Sequence, residues 1–126
     1  MKRILILDDE PAVRQSFMDY FEDRLWFPVQ AGSGEEALAL LVRERQMAAI
    51  VDVRLPGMDG NDFIRSASLL YPSMGFVVCT GSPEYHLPPD LQDLANVSNR
   101  IFKKPIRDLM ELESEALRLI QDSEFE

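Results

Sequence analysis

The chain has 126 residues, which is the length of one domain, since domains average about 100–200 residues. Its 22 acidic and 13 basic side chains give a net charge of −9. This charge disfavours unspecific nucleic-acid binding, because phosphate backbones are neutralised by clustered lysine and arginine. A single cysteine, Cys79, excludes an internal disulfide and a zinc site built from cysteines. No apolar run approaches the roughly 20 residues of a membrane span, so we expect a cytoplasmic protein without membrane contact.

The first elements follow from a short apolar run and a helical repeat. Residues 4–7 are apolar and end at three acidic residues, a pattern typical of a strand that is covered on both faces. Pro11 suits the first turn of a helix. The apolar residues that follow it at helical spacing are Val13, Phe17, Tyr20, Phe21 and Leu25. Residues 26–31 predict a second strand, and Pro28 confines it to a sheet edge because proline donates no hydrogen bond.

The middle of the chain repeats this alternation. A capping box at 33–36 begins a second helix, and its apolar face is Ala37, Leu38, Leu41 and Val42. Residues 48–53 predict a third strand, and the glycines and proline of 54–60 predict a loop. Asn61 or Asp62 is the expected cap of a third helix, whose apolar face is Phe63, Ile64, Ala67 and Leu70.

The last third contains one weak stretch. Residues 75–80 predict a fourth strand, but the prolines of 82–99 allow at most a short helix at 90–97. Residues 100–102 predict a fifth strand. A second capping box at 108–111 begins the last helix, whose apolar stripe is Leu109, Leu112, Ala116 and Leu119. We expect its outer face, with Glu111, Glu113, Glu115 and Arg118, to be solvated, and the tail from Gln121 to Glu126 to be frayed.

Strands that alternate with helices predict an α/β fold with a parallel sheet and helices on both faces. In such sheets, ligands bind beyond the carboxyl ends of the strands. The polar residues that follow the predicted strands are Asp8, Asp9, Glu10, Asp52, Thr80, Lys103 and Lys104. Clustered carboxylates need a cation or protons between them, and oxygen ligands suit Mg²⁺. An aspartate can also attack phosphorus to form an aspartyl-phosphate.

Four separated motifs occur in one order: Asp8-Asp9-Glu10-Pro11, the stretch from Asp52 to Gly60, Thr80-Gly81 and Lys104-Pro105. With them the chain, from about Lys2 to Ile120, resembles the receiver domain of bacterial two-component response regulators. The resemblance implies a flavodoxin-like fold with a five-stranded doubly wound sheet in the order 2-1-3-4-5. It also implies a receiver domain at 1–121, with 122–126 a frayed tail or the start of a linker to an output domain.

The resemblance implies a role for each site residue. Asp52 would accept a phosphoryl group from a sensor histidine kinase or phosphotransfer protein, in a reaction that depends on Mg²⁺. Asp8, Asp9, Asp52 and the backbone carbonyl of Arg54 would hold the metal. Lys104 would pair with Asp52 and then with the phosphoryl group, and Thr80 would move towards that group. The chain would catalyse its own phosphorylation and dephosphorylation without being a turnover enzyme, and its surface around the fourth helix and fifth strand would change for an unknown output protein or domain.

The sequence departs from the family pattern at three places. Ile101 stands where receivers carry an aromatic residue, three positions before the conserved lysine; Gly81 replaces the more frequent alanine; and the fourth helix begins in the proline-rich segment. We therefore expect phosphorylation to order residues 82–99, which few backbone hydrogen bonds should hold, and to remodel a surface around Leu87, Leu91 and Leu94.

Two alternative functions remain. A degenerate receiver could act only as a protein-binding module, although the complete site argues against it. A haloacid-dehalogenase-like phosphohydrolase also forms an aspartyl-phosphate with Mg²⁺, but it needs a second aspartate two positions after the nucleophile, and Arg54 occupies that position. The sequence leaves the output, the cognate kinase and homodimer formation open.

Overall fold

The computed structural model describes residues 1–124, with 121–124 described by their backbone alone. Five parallel strands form one sheet in the order β2-β1-β3-β4-β5, which confirms the doubly wound fold and its strand order. The strands are β1 (Arg3–Leu7), β2 (Phe27–Ala31), β3 (Ala48–Val51), β4 (Gly75–Thr80) and β5 (Phe102–Lys103). The helices are α1 (Pro11–Asp23), α2 (Gly34–Arg43), α3 (Gly60–Leu70), α4 (Pro89–Gln92) and α5 (Leu109–Glu124).

The three central strands are buried on both faces, as continuous apolar runs require. Alternate residues point to opposite faces. Leu5, Val51 and Val78 therefore pack in one core with α2 and α3, whereas Ile4, Ile50 and Val77 pack in the other with α1 and α5. Cys79 belongs to the second core, where burial raises the pKa of its thiol to about 12. A buried thiol with a raised pKa is a poor nucleophile, so this environment suits an inert core residue.

Three apolar residues assigned to helix faces by their spacing are exposed instead. Leu25 lies beyond the end of α1, with a φ of 66° and 82% of its surface exposed. Val42 and Leu70 lie in the last turns of α2 and α3 and are 78% and 61% exposed. Helical spacing identifies the direction of a side chain, but near a helix end the sheet no longer covers that direction.

The capping predictions were correct at two helices and wrong at one. Ser33 Oγ accepts from the backbone N–H of Glu36 at 3.1 Å, and Asp108 accepts from the N–H groups of Met110 and Glu111. The cap of α3 is neither Asn61 nor Asp62. It is Asp59, whose Oδ1 accepts from the N–H of Asp62 at 2.8 Å, so α3 begins at Gly60. Any of these three side chains can cap a helix.

Residues 82–101 contain only the one-turn helix α4, which is shorter than the predicted 90–97 and begins one residue earlier. Two backbone hydrogen bonds fasten this segment to β4, and the expectation that few such bonds hold it stays a prediction. The N–H of Phe76 donates to the Asn96 carbonyl at 2.8 Å, and the N–H of Ser98 donates to the Phe76 carbonyl at 2.9 Å. Leu87 and Leu91 are buried, so the surface proposed around them does not exist in this structure.

Several element ends differ from the prediction by one to three residues. β3 stops at Val51 instead of residue 53, and β5 occupies Phe102–Lys103 instead of 100–102. Helix α5 continues through Glu124, past the expected fraying point at Gln121, while residues 125–126 of the tail lie outside the described residues. Within the described chain, no helix has the length and apolar character that a membrane crossing needs.

Candidate functional site

The parallel register brings the candidate residues together at the carboxyl ends of the strands. Leu7 pairs with Val51, and the N–H of Asp52 donates to the Leu7 carbonyl at 2.8 Å, so Asp8 and Asp52 leave neighbouring strands side by side. On the other side of β4, the N–H of Lys104 donates to the Thr80 carbonyl at 2.9 Å. These ends surround a cavity of about 370 Å³, lined by Asp9, Glu10, Asp52, Arg54, Thr80, Gly81, Ser82, Pro83 and Lys104.

Lys104 is the cation shared by the two buried carboxylates. Its Nζ forms a close hydrogen-bonded ion pair with Asp8 Oδ2 and lies 3.5 Å from Asp52 Oδ2. The resemblance paired this lysine with Asp52, but here its nearer partner is Asp8. Burial opposes the charged form of Lys104, yet the hydrogen bond that it donates to Asp8 and the charge of Asp52 raise its pKa above the ordinary value. Lys104 therefore stays cationic.

Asp52 is 5% exposed, and its carboxylate is not fully compensated. Burial raises its pKa to about 6, and the charges of Asp8 and Asp9 act in the same direction. Lys104 and a hydrogen bond from the Arg54 backbone oppose this rise. The site therefore holds more negative charge than its own cation balances, and it favours a proton or an added cation beside Asp52.

An acidic cluster forms the wall next to Asp52. One carboxylate oxygen from each of Asp8, Asp9 and Glu10 lies within 4.8 Å of the others, with Asp8 buried and the other two exposed. Asp8 also accepts from the N–H of Glu10 at 2.9 Å through its other oxygen, which fixes the side chain. This all-oxygen donor set fits Mg²⁺. Glu10, which the sequence interpretation did not assign to the metal, is the third member of the cluster.

Arg54 and Ser82 close the mouth of the cavity. A terminal nitrogen of the Arg54 guanidinium lies 3.4 Å from Ser82 Oγ. The N–H of Ser82 donates to Thr80 Oγ1 at 3.1 Å, and Thr80 is fully buried. These contacts connect the residue two positions after Asp52 with the β4–α4 loop. Arg54 and Asp52 thus line the same cavity.

The loop after Asp52 depends on two glycines. At Gly60 a Cβ atom would lie 2.2 Å from the Asp52 carbonyl oxygen, so only glycine lets α3 begin this close to the site. Gly57 has a φ of +72°, and a Cβ there would lie 2.6 Å from Glu35 Oε2. The same carboxylate accepts from the N–H of Met58 at 3.3 Å. Glu35 thus ties this loop to α2.

Sequence reasoning listed Lys103 among the polar residues after the strands but missed its contacts. Its Nζ donates to the carbonyls of Ser82 at 2.9 Å and Tyr85 at 3.3 Å, and it lies 5.9 Å from the centre of the Tyr85 ring. The Tyr85 hydroxyl donates to Asn61 Oδ1 at 2.6 Å. Strand alternation places Lys103 and the buried Phe102 on opposite faces, but no sequence signal identifies the loop carbonyls that Lys103 binds.

The comparisons with known proteins agree with this geometry. The family model "Response regulator receiver domain" matches residues 4–113. The chain is 25% identical over 104 residues to sporulation initiation phosphotransferase F of Bacillus subtilis, covering 82% of each chain. A CheY-like receiver domain from Methanospirillum hungatei has 27% identity and a TM-score of 0.84, over 98% of this chain and 97% of the other.

A response regulator from Thermotoga maritima, TrrA, whose structure contains Mg²⁺-BeF, has the same fold, with a TM-score of 0.81 at 23% identity over 94% of this chain and 98% of the other. Three matched transcriptional regulators are longer, and the chain aligns with 24–45% of their length. The chain therefore belongs to the response regulator receiver domain family, the signalling modules of two-component systems.

Proposed function

We propose that this domain accepts a phosphoryl group on Asp52 in a Mg²⁺-dependent reaction. The observation that carries the proposal is the state of Asp52 itself: it is buried at the floor of an open cavity, its pKa is raised, and its cation lies 3.5 Å away. A carboxylate whose oxygens face a cavity and are not fully occupied by hydrogen-bond donors can act as a nucleophile. The donors are a sensor histidine kinase or a phosphotransfer protein, as for the family.

The reaction proceeds through a new bond between an Asp52 oxygen and phosphorus. The bond from phosphorus to the donor nitrogen breaks, and its electron pair stays on the departing imidazole. Lys104 neutralises part of the charge on the transferring group. Thr80 accepts from Ser82 and, among the described residues, donates to none, which leaves its O–H available to a phosphoryl oxygen. Mg²⁺ held by Asp8, Asp9, Asp52 and the Arg54 carbonyl would supply the remaining positive charge.

The contacts of Tyr85 support a route from the site to the surface around α4 and β5. Movement of Thr80 towards a phosphoryl group breaks its contact with the Ser82 backbone. Lys103 holds the carbonyls of Ser82 and Tyr85 together, and Tyr85 reaches α3 through Asn61. Tyr85 thus supplies an aromatic side chain near the position that Ile101 cannot fill. The output domain or partner binds the rearranged loop that contains Ser82 and Tyr85.

The proposal treats residues 1–121 as the receiver unit, with 122–126 as a tail or the start of a linker. The domain works in the cytoplasm, where its kinase and output partner meet it, and it binds neither nucleic acid nor membrane directly. It modifies only itself, so it is not a turnover enzyme. The alternative, a degenerate receiver that only binds protein, differs in one observable: it acquires no phosphoryl group.

Intact-mass spectrometry with acetyl phosphate and Mg²⁺ tests the proposal. The wild-type chain should gain the mass of one phosphoryl group, and Asp52→Asn should gain none. Asp23→Asn is the matched control, since Asp23 is an exposed aspartate at the end of α1, far from the site. A wild-type chain that stays unmodified, or an Asp52→Asn variant modified at the wild-type rate, would refute the proposal.

A further inference from the structure

A second cavity lies at the opposite end of the sheet, beside the amino ends of the central strands. Its volume is about 460 Å³. The backbone around it is fixed by the sheet, because the N–H of Met47 donates to the Arg3 carbonyl and the N–H of Gly75 donates to the Met47 carbonyl, both at 3.0 Å. Cavities of roughly 300–1,000 Å³ with apolar walls are the usual sites of small ligands. The apolar wall includes Leu70, Met74 and Ile120.

Two arginines give this cavity a positive charge in an otherwise acidic protein. Arg3 and Arg45 both line it, although the chain as a whole has a net charge of −9. Among the described side chains, neither arginine forms an ion pair with a carboxylate. The guanidinium carbon of Arg45 lies 5.5 Å from the centre of the Tyr71 ring, which also lines the cavity. The two cations are therefore available to an anion that enters.

Gln46 adds an unused acceptor to the same wall. It is 7% exposed, and its Nε2 donates to the Glu44 carbonyl at 3.3 Å. Its Oε1 has no hydrogen-bond partner among the described residues. A buried acceptor without a partner carries the full cost of its desolvation. A ligand N–H or O–H that donates to Oε1 removes that cost.

We propose that this cavity binds a small planar aromatic carboxylate that also carries an N–H or O–H donor. The carboxylate pairs with Arg3 and Arg45, since arginine and carboxylate form charge-assisted hydrogen bonds. The ring packs between Tyr71 and the apolar wall of Leu70 and Met74. The N–H or O–H of the ligand donates to Gln46 Oε1. This site is separate from Asp52 and does not depend on phosphorylation.

Indole-3-carboxylate is a suitable probe, because it combines a planar ring, a carboxylate and an N–H. Titration into the ¹⁵N-labelled protein should shift the amide signals of 45–47, 70, 71, 73 and 74 at millimolar concentrations. Arg45→Ala should weaken binding about tenfold or more, the usual effect of losing one hydrogen bond to a charged group. Arg43→Ala, at an exposed position that does not line the cavity, should leave the Kd unchanged. The uncharged indole-3-carboxamide should bind to the wild type at least as weakly as the acid binds to Arg45→Ala, because it loses the charge that pairs with both arginines.

The role of Gln46 has its own control. In the wild-type protein, 1-methylindole-3-carboxylate should bind several-fold more weakly than indole-3-carboxylate, because it lacks the donor. In Gln46→Leu the two should bind equally. The proposal is overturned if those amide signals do not shift, if the carboxamide binds as well as the acid, or if Arg45→Ala binds normally. Binding of an acidic peptide at these residues without binding of the indole acid would also overturn it.

Discussion

Two buried carboxylate sites of this protein differ in the number of donors that face them. Glu113 is 4% exposed and accepts from Trp26 Nε1 at 2.8 Å, the Tyr20 hydroxyl at 2.9 Å and Arg24 Nε at 3.1 Å. Asp52 is equally buried but shares Lys104 with Asp8. Burial raises the pKa of both, yet the hydrogen bonds around Glu113 bring its pKa below the ordinary value, whereas that of Asp52 rises to about 6.

The difference separates a structural carboxylate from the one that we propose to be reactive. The oxygens of Glu113 accept hydrogen bonds from α1 and from the residues between α1 and β2, so this side chain fastens α5 to that part of the chain. The Asp52 carboxylate borders a cavity, and its charge is incompletely balanced. The Asp52 carboxylate therefore lowers the free energy of unfolding, whereas the Glu113 carboxylate raises it. Each of the following predictions tests one side of this contrast.

The largest expected effect on stability is at Glu113. Glu113→Ala leaves the donors of Trp26, Tyr20 and Arg24 without their acceptor, and should lower the free energy of unfolding by about 3 kcal/mol. Asp52→Asn should leave stability unchanged or raise it, since it removes an uncompensated charge. Urea denaturation without Mg²⁺ measures both. Glu111→Ala, which loses only an exposed ion pair to Arg100, is the control and should cost less than about 1 kcal/mol. Equal losses at Glu113 and Asp52 would remove the contrast.

The contribution of Glu113 should also depend on pH in a defined direction. Its pKa is lower in the folded chain than the ordinary 4.5, so the unfolded state binds its proton more tightly. The stabilisation is therefore complete above pH 4.5 and is lost as the pH falls through the lower pKa of the folded state. The difference in unfolding free energy between wild type and Glu113→Gln should be constant near neutral pH and shrink in acid. A difference that grows in acid would contradict this sign.

Added Mg²⁺ should stabilise the Asp52 site and leave Glu113 unaffected. A cation that binds the folded state alone raises stability by mass action, by about 1–3 kcal/mol at concentrations well above its Kd. Thermal unfolding should show a rise in Tm with millimolar Mg²⁺ in the wild type and in Glu113→Gln. Asp9→Ala should abolish the rise. A flat wild-type titration would show that the acidic cluster forms no metal site.

The smallest effect concerns the lifetime of the phosphorylated state. Arg54 crosses the cavity mouth towards Ser82, where it can shield an aspartyl-phosphate from water and hydrogen-bond its oxygens. Arg54→Ala should shorten the half-life a few-fold, as followed by loss of the phosphorylated mass over time. Arg107→Ala, an exposed arginine that does not line the cavity, should leave it unchanged. An unchanged or longer half-life in Arg54→Ala would remove this residue from the role.

The sequence predicts the Asp52 site better than the Glu113 cluster for a physical reason. Asp8, Asp52 and Thr80 follow apolar strands directly, and the parallel topology then brings strand ends together. Glu113 meets Tyr20 and Trp26, which lie 93 and 87 residues earlier in the chain. Local spacing placed it on an outer, solvated face, which was wrong. Which donors converge on a carboxylate depends on helix packing angles, and no short pattern encodes them.

The fold shows the same division between local and distant information. Strand burial, the edge position of β2 and two helix caps follow from neighbouring residues, and they were correct. Residues 82–99 are fixed by contacts with β4 and β5. The Arg65–Asp90 ion pair also fixes them, because it joins α3 to α4. Proline content alone suggested a loosely held segment. Composition describes a segment's intrinsic preferences, while its tertiary partners determine how firmly it is held.

The chemical identity of the modified residue tests the central claim most directly. The protein is incubated with acetyl phosphate and Mg²⁺ and then treated with borohydride, which reduces an aspartyl-phosphate to homoserine. Peptide mass spectrometry then locates the converted residue. The account predicts homoserine at position 52 and unchanged aspartate at Asp8 and Asp9. Conversion at Asp8 or Asp9, or no conversion in a chain that has gained a phosphoryl group, would contradict it.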